Sequence, residues 1–128
     1  MIFETPTDFN IEREYKNHTV KYYNMREIAQ GSPEIGNVSI NGKNLPLRYF
    51  FGGPPLFYEE YMLSPLYVKK FCKTGFVLCR INLKNLSMDF IGNLKDLIFL
   101  KEVDLPDKKV YYHRDVNGTT ISAISLEE

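Results

Sequence analysis

The sequence predicts an α+β domain: a predominantly antiparallel β-meander sheet with one principal short helix over about residues 64–74. Three observations carry this expectation. Short runs of β-branched and aromatic residues recur about every ten residues through the C-terminal half, each closed by a turn signal. Asn-Gly occurs as Asn41-Gly42 and Asn117-Gly118, a dipeptide suited to type I′ hairpins because both central residues need positive φ. Finally, "SPLYVKKFCKTG" carries the start and stop signals of a helix.

The opening "FETPTDFNIEREYKN" sets acids between Phe3, Phe9 and Ile11 and suits an extended arm or one helical turn. "TVKYYNM", residues 19–25, reads as a strand. "REIAQGSPEIG" then breaks at Gly31, Pro33 and Gly36, with room for a second short turn over residues 24–30. In "NVSINGKNLPLRYFF", Val38 and Ile40 alternate with polar residues, Asn41-Gly42 turns, and Leu45, Leu47 and Tyr49 resume the alternation. Pro46 has no ladder N–H, which places its strand at an edge or a bulge.

For the helix, Ser64 can cap the free N–H groups and Pro65 fits the first turn. Lys69, Lys70 and Lys73 suit the C-terminal end, and Gly75 can stop it. Tyr67, Val68, Phe71 and Cys72 then form one apolar stripe. A helix of about ten residues is stable only when such a stripe packs on a sheet.

Beyond it, "FVLCRINL" puts Val77, Cys79, Ile81 and Leu83 on one face, with Arg80 and Asn82 on the other. "MDFIG" returns with Met88 and Phe90 inward, and Gly92-Asn93 turns again. "DLIFLKEVDL" leads to a turn at Pro106-Asp107, "KKVYYHRD" is a strand, and "TTISAIS" closes the sheet. The rhythm also suits a propeller blade, but one blade cannot close a ring and a four-strand meander accounts for it.

Length fits one domain spanning residues 1–128, with 44% apolar and 25% charged residues. Sixteen basic and sixteen acidic side chains cancel, which argues against a dedicated nucleic-acid binder, since phosphate neutralisation needs a basic excess. Cys72 and Cys79 lack the further Cys or His of a zinc site; they read as reduced, buried thiols, with a disulfide as the alternative. No signal-peptide pattern opens the chain, and no run approaches the ~20 apolar residues of a membrane helix. The expectation is a soluble, cytoplasmic protein without a cofactor.

Eight of the eighteen Phe and Tyr residues fall in residues 48–71, "RYFFGGPPLFYEEYMLSPLYVKKF". Gly52-Gly53 lacks the Lys-Ser/Thr that follows a phosphate loop and reads as a chain reversal stiffened by Pro54-Pro55. Base stacking is disfavoured because Glu59 and Glu60 are the only charges between Arg48 and Lys69. Those two carboxylates are adjacent, so they cannot easily converge on one metal ion. Phe50, Phe51, Phe57 and Phe71 are expected in the core with the tyrosines at its rim. Tyr58, Glu59, Glu60 and Tyr61 then form an acidic, aromatic strip suited to a basic protein partner.

Only His18 and His113 could serve as a base. His18 reads as a turn residue. In "YYHRD", His113 shares a strand face with Tyr111 and Asp115, so His113 and Asp115 could act as base and orienting carboxylate, with Arg114 beside them. A plain solvent-facing strand explains the same pattern, and no catalytic residue is assigned.

The stretch "GGPPLFYEEYMLSPLYVKKFCKTGFVLCRINLKNLSMDFIGNLKDLIFLKEVD" resembles the immunity proteins of contact-dependent growth inhibition and related polymorphic toxin systems. The resemblance lies in size, aromatic and Asn/Lys-rich composition and short β-meander character. It implies a cytoplasmic, non-catalytic antitoxin that binds one cognate toxin domain, commonly a nuclease, and occludes its active site without touching nucleic acid or membrane. An acidic inhibitory face would here be local: Glu59/Glu60, residues 4–14, or Asp89, Asp96, Glu102 and Asp104. The rivals are a small hydrolase or nuclease using His113 and Asp115, and a phage or virion structural module with a large oligomeric interface.

Overall fold

The computed structural model describes residues 4–30, 32–70 and 72–127. Phe3, Gly31 and Phe71, given sequence-based roles above, lie outside them. Tight turns organise the first half. β1 (Glu12–Tyr15) and β2 (His18–Glu27) join through Lys16-Asn17, both at positive φ (48° and 68°). β3 (Glu34–Ile40) and β4 (Lys43–Asn44) join through Asn41-Gly42, at φ 53° and 80°, as Asn-Gly predicts. β5 (Leu56–Tyr58) and β6 (Tyr61–Lys69) join through Glu59-Glu60. β7 (Thr74–Asn82), β8 (Met88–Lys95), β9 (Phe99–Asp104), β10 (Lys109–His113) and β11 (Ser122–Ser125) complete the chain.

The described residues are all β, in three antiparallel sheets ordered β1-β2-β3-β4, β5-β6-β7-β8 and β11-β10-β9. This corrects the α+β expectation. Of the segment read as a helix, residues 64–69 belong to β6 and Thr74 opens β7, the two strands pairing from Tyr61↔Asn82 to Lys69↔Thr74. The physical reason is burial on both faces. Met62 and Leu66 point into one core and Leu63 into the other, so β6 is nearly continuously apolar and its period cannot be told from a buried helix. Ser64 caps nothing, and Cys72, expected buried, is exposed; Cys79 is buried, and both are free thiols.

Pro65 in a central strand removes a donor, and the chain compensates locally. Gly52 N–H donates to the Pro65 carbonyl at 2.7 Å, but Pro65 has no N–H to return. The Gly52 carbonyl accepts instead from the Tyr22 and Ser64 hydroxyls, each at 2.8 Å. Burial pushes the Tyr22 phenol pKa upward, so it stays a neutral donor. Phe51 bridges Gly36 of β3 and Leu66 of β6, tying the first sheet to the middle one. The Gly52-to-Pro55 reversal is buried rather than exposed, and Gly53 lacks a Cβ where the Phe9 ring packs.

The middle sheet therefore separates two cores. Val20, Tyr22, Val38, Ile40 and Phe51 pack on Met62, Leu66, Cys79 and Ile81. On the opposite face Leu63, Phe76, Leu78 and Ile91 meet Leu100, Val110, Tyr112 and Ile124 of the third sheet. β7 is thus buried on both faces, whereas the alternation of Arg80 and Asn82 suggested one open face. Among the Phe residues, Phe51 is buried and Phe50 and Phe57 are half-buried.

Other expectations shift in detail. The single meander breaks between β8 and β9, which do not pair. Gly36 lies inside β3, and no strand continues through Leu47 and Tyr49; β4 is an edge strand ending before Pro46. Gly92, at φ 78°, lies within β8 near a register shift instead of a turn. Met88 and Phe90 face the first core, but on edge strand β8 Phe90 remains half exposed. Residues 114–121 form a long loop instead of a two-residue Asn117-Gly118 hairpin, and only Gly118 of that pair has positive φ. No helix among the described residues is long and apolar enough to cross a membrane.

Candidate protein-binding surface at the β5–β6 hairpin

The strip Tyr58, Glu59, Glu60 and Tyr61 is the β5–β6 hairpin itself: Tyr58 pairs with Tyr61, and the two glutamates are the whole loop. Glu59 has φ 49° at the first central position, where two-residue hairpins commonly place glycine. The four side chains do not form one continuous patch. Tyr58 and Tyr61 face the second core, Glu60 turns toward the first sheet, and Glu59 stands exposed at the tip. Tyr58, expected at a rim, is buried.

Contacts from the first sheet brace the tip. The Tyr15 hydroxyl donates to the Glu59 carbonyl at 2.8 Å while its ring stacks on Phe57 at 4.8 Å. His18 Nε2 lies 3.2 Å from Glu60 Oε2, and Asn41 Nδ2 donates to His18 Nδ1 at 2.9 Å. Asn41 cannot turn its amide over without losing the Thr19 N–H bond to its Oδ1, at 2.8 Å. His18 Nδ1 is therefore an acceptor, and the proton on Nε2 points at Glu60. His18, taken as a turn residue from sequence, opens β2 and anchors the hairpin. The Glu60 carbonyl also accepts from Leu83 N–H at 2.8 Å.

On the other side, Tyr58 and Tyr61 frame Arg80. The two rings lie 5.3 Å apart, and the Arg80 guanidinium sits 5.2 Å above the Tyr61 ring. Arg80 Nη1 donates to Tyr58 Oη and Nη2 to Asp89 Oδ2, both at 3.2 Å; its Nε is buried and carries no bond. Burial opposes the Arg80 charge, but the bonds to Tyr58 and Asp89 outweigh it and raise its pKa. A cleft of about 310 Å³ opens here. Tyr58, Tyr61 and Arg80 form one side, and Glu59 lies at its rim. Leu105 and Lys108 of the β9–β10 turn, with Leu126 and Glu127 beyond β11, form the other side.

Sequence reasoning missed Arg80 and these distant residues. Arg80 was legible as the lone charge in an apolar strand, but its counter-ion and tyrosines come from other strands.

His113 and Asp115 form no dyad. The His113 ring nitrogen Nδ1 bonds the Thr120 carbonyl and its ring packs edge-on against Phe99. Asp115 lies in the following loop, accepting from the Thr119 and Thr120 amides and hydroxyls at 2.7–3.2 Å. The Thr119 hydroxyl, foremost among these donors, helps hold its carboxyl down at about 2. No cluster of three His, Cys, Asp or Glu side chains able to hold a metal occurs among the described residues.

No family model matches the chain, and neither do curated proteins or solved structures.

Proposed function

We propose that the protein is a non-catalytic immunity protein that binds a cognate toxin domain, commonly a nuclease, with the β5–β6 hairpin at the contact. The observation that carries this reading is Glu59: an exposed carboxylate with no ion pair among the described residues, held on a tip braced from the first sheet. A preformed tip loses little freedom on binding, and an unpaired carboxylate suits the Lys and Arg that a nuclease aims at phosphate. The mechanism is occlusion: the toxin's cationic groups engage the hairpin, and its active site is covered. Charge complementarity also speeds encounter, an advantage for an inhibitor that must act before damage accumulates.

The test is co-expression with the toxin encoded by an adjacent gene, followed by purification and titration. A 1:1 complex is expected, and Glu59→Lys is expected to weaken it by roughly tenfold or more, with the melting temperature nearly unchanged. Glu60 is left intact because its contact with His18 anchors the tip. Undiminished affinity in Glu59→Lys excludes this hairpin as the interface, and absence of any complex removes the immunity reading.

A further inference from the structure

We infer that the cleft under the hairpin receives one long cationic side chain, an arginine or lysine, from the protein partner; the inference rests on the protein-binding reading of this hairpin. The cleft's own cations are already engaged. Arg80 is tied to Asp89 and Tyr58, and its remaining Nε is shut off from solvent. Lys108 lies 3.1 Å from Glu127 Oε1. A carboxylate guest would compete with Asp89 and Glu127 for those cations and would meet Glu59 at the rim.

A cationic guest finds the opposite situation. Glu59 has no ion pair among the described residues, and Glu127 retains its second oxygen outside the Lys108 contact. The surrounding field has the same sign. Glu59 and Glu127 line the cleft against Arg80 and Lys108, and Asp89, bonded to Arg80, makes three carboxylates to two cations. The walls suit the stem of such a side chain. Leu105 is exposed and the Tyr61 ring is half-buried, so methylene groups could lie along both while the charged head reaches the carboxylates. At about 310 Å³ the cleft has room for one long side chain, not for a helix or a strand.

The test uses the full chain and short capped peptides followed by amide resonances: acetyl-Gly-Arg-Gly-amide, with Glu and Leu in place of Arg as controls. The arginine peptide is expected to shift the amides of Glu59, Tyr61, Leu105 and Lys108 saturably, with a dissociation constant of about millimolar order. Glu59→Gln is expected to weaken it by about threefold, and added salt to weaken it further. Preferential binding of the glutamate peptide, equal shifts from all three, or no shift by the arginine peptide overturns the inference. Failure here is separable from failure of the immunity reading. Toxin neutralisation with a silent peptide titration leaves the function and removes the cleft's role; arginine binding without any toxin complex does the reverse.

Discussion

The two faces of the middle sheet are built from the same strands yet solve different problems. The face toward β9–β11 is a wholly apolar contact at its centre, Leu63, Phe76, Leu78 and Ile91 against Leu100, Val110 and Ile124. The face toward β1–β4 carries polar chemistry inside it, where Tyr22 and Ser64 satisfy the carbonyl that Pro65 cannot. The difference follows from the backbone. Ahead of β5, where the buried reversal runs beside β6, Pro65 has no N–H for the Gly52 carbonyl, and hydroxyls must reach it. The regular ladder between β6 and β7 needs no such help.

The comparison breaks most easily on the apolar face. Leu78→Ala removes a fully buried side chain from a contact with no polar group to rearrange, and is expected to cost about 2–5 kcal/mol in urea unfolding. On the other face, Ser64→Ala and Tyr22→Phe each leave the Gly52 carbonyl one donor, so each single change is expected to cost about 1 kcal/mol. The double variant leaves that buried carbonyl without either hydroxyl, and should cost more than the two singles together by roughly 0.5 kcal/mol or more. Strict additivity would mean that the hydroxyls do not share the work of replacing the Pro65 N–H.

The same contrast explains what was legible in the sequence. Asn-Gly was a readable turn signal only once: Asn41-Gly42 turns where its dipeptide predicts, whereas Asn117-Gly118 lies within the long loop at residues 114–121. Lys16-Asn17 forms an equivalent turn without the dipeptide, because the pairing of Tyr15 with His18 imposes the geometry on residues that only tolerate it. β6 was misread because Ser64, Pro65 and Gly75 are sound local helix signals overridden by burial on both faces, which no local signal reports. Tyr58–Tyr61 read as one continuous strip, and its division between two faces was not legible, since that depends on the parity of pairing with β7. Arg80 acquires its meaning only once Asp89 and two tyrosines arrive from neighbouring strands.

Away from both faces, the loop at residues 114–121 offers a smaller effect with a defined pH window. The folded chain holds the Asp115 carboxyl at about 2, against 3.8 for the free side chain, so folding favours its ionised form. That contribution is complete above the unfolded value and is lost as pH falls through the folded one, between about 4 and 2. Asp115→Asn is expected to flatten the acid limb of a stability-versus-pH curve in that window, without altering its shape near neutrality. An unchanged acid limb would show that the threonine donors do not distinguish the carboxylate from the acid.

The gentlest probe of the sheet's interior is its thiols. Cys79 lies on the polar face opposite Ser64, and burial, with Asp89 adding to it, pushes its thiol up to about 12. Cys72 is exposed at the far end of the β6–β7 hairpin. A disulfide-exchange reagent at neutral pH is therefore expected to titrate one thiol quickly in the native protein and the second only on unfolding. Cys72→Ser should abolish the fast phase and leave the slow one. Two fast thiols would mean that the first core opens under native conditions. Because Cys79 faces the layer that holds the Tyr22 and Ser64 hydroxyls, Ser64→Ala should speed its slow phase more than a substitution of similar cost at the opposite face would.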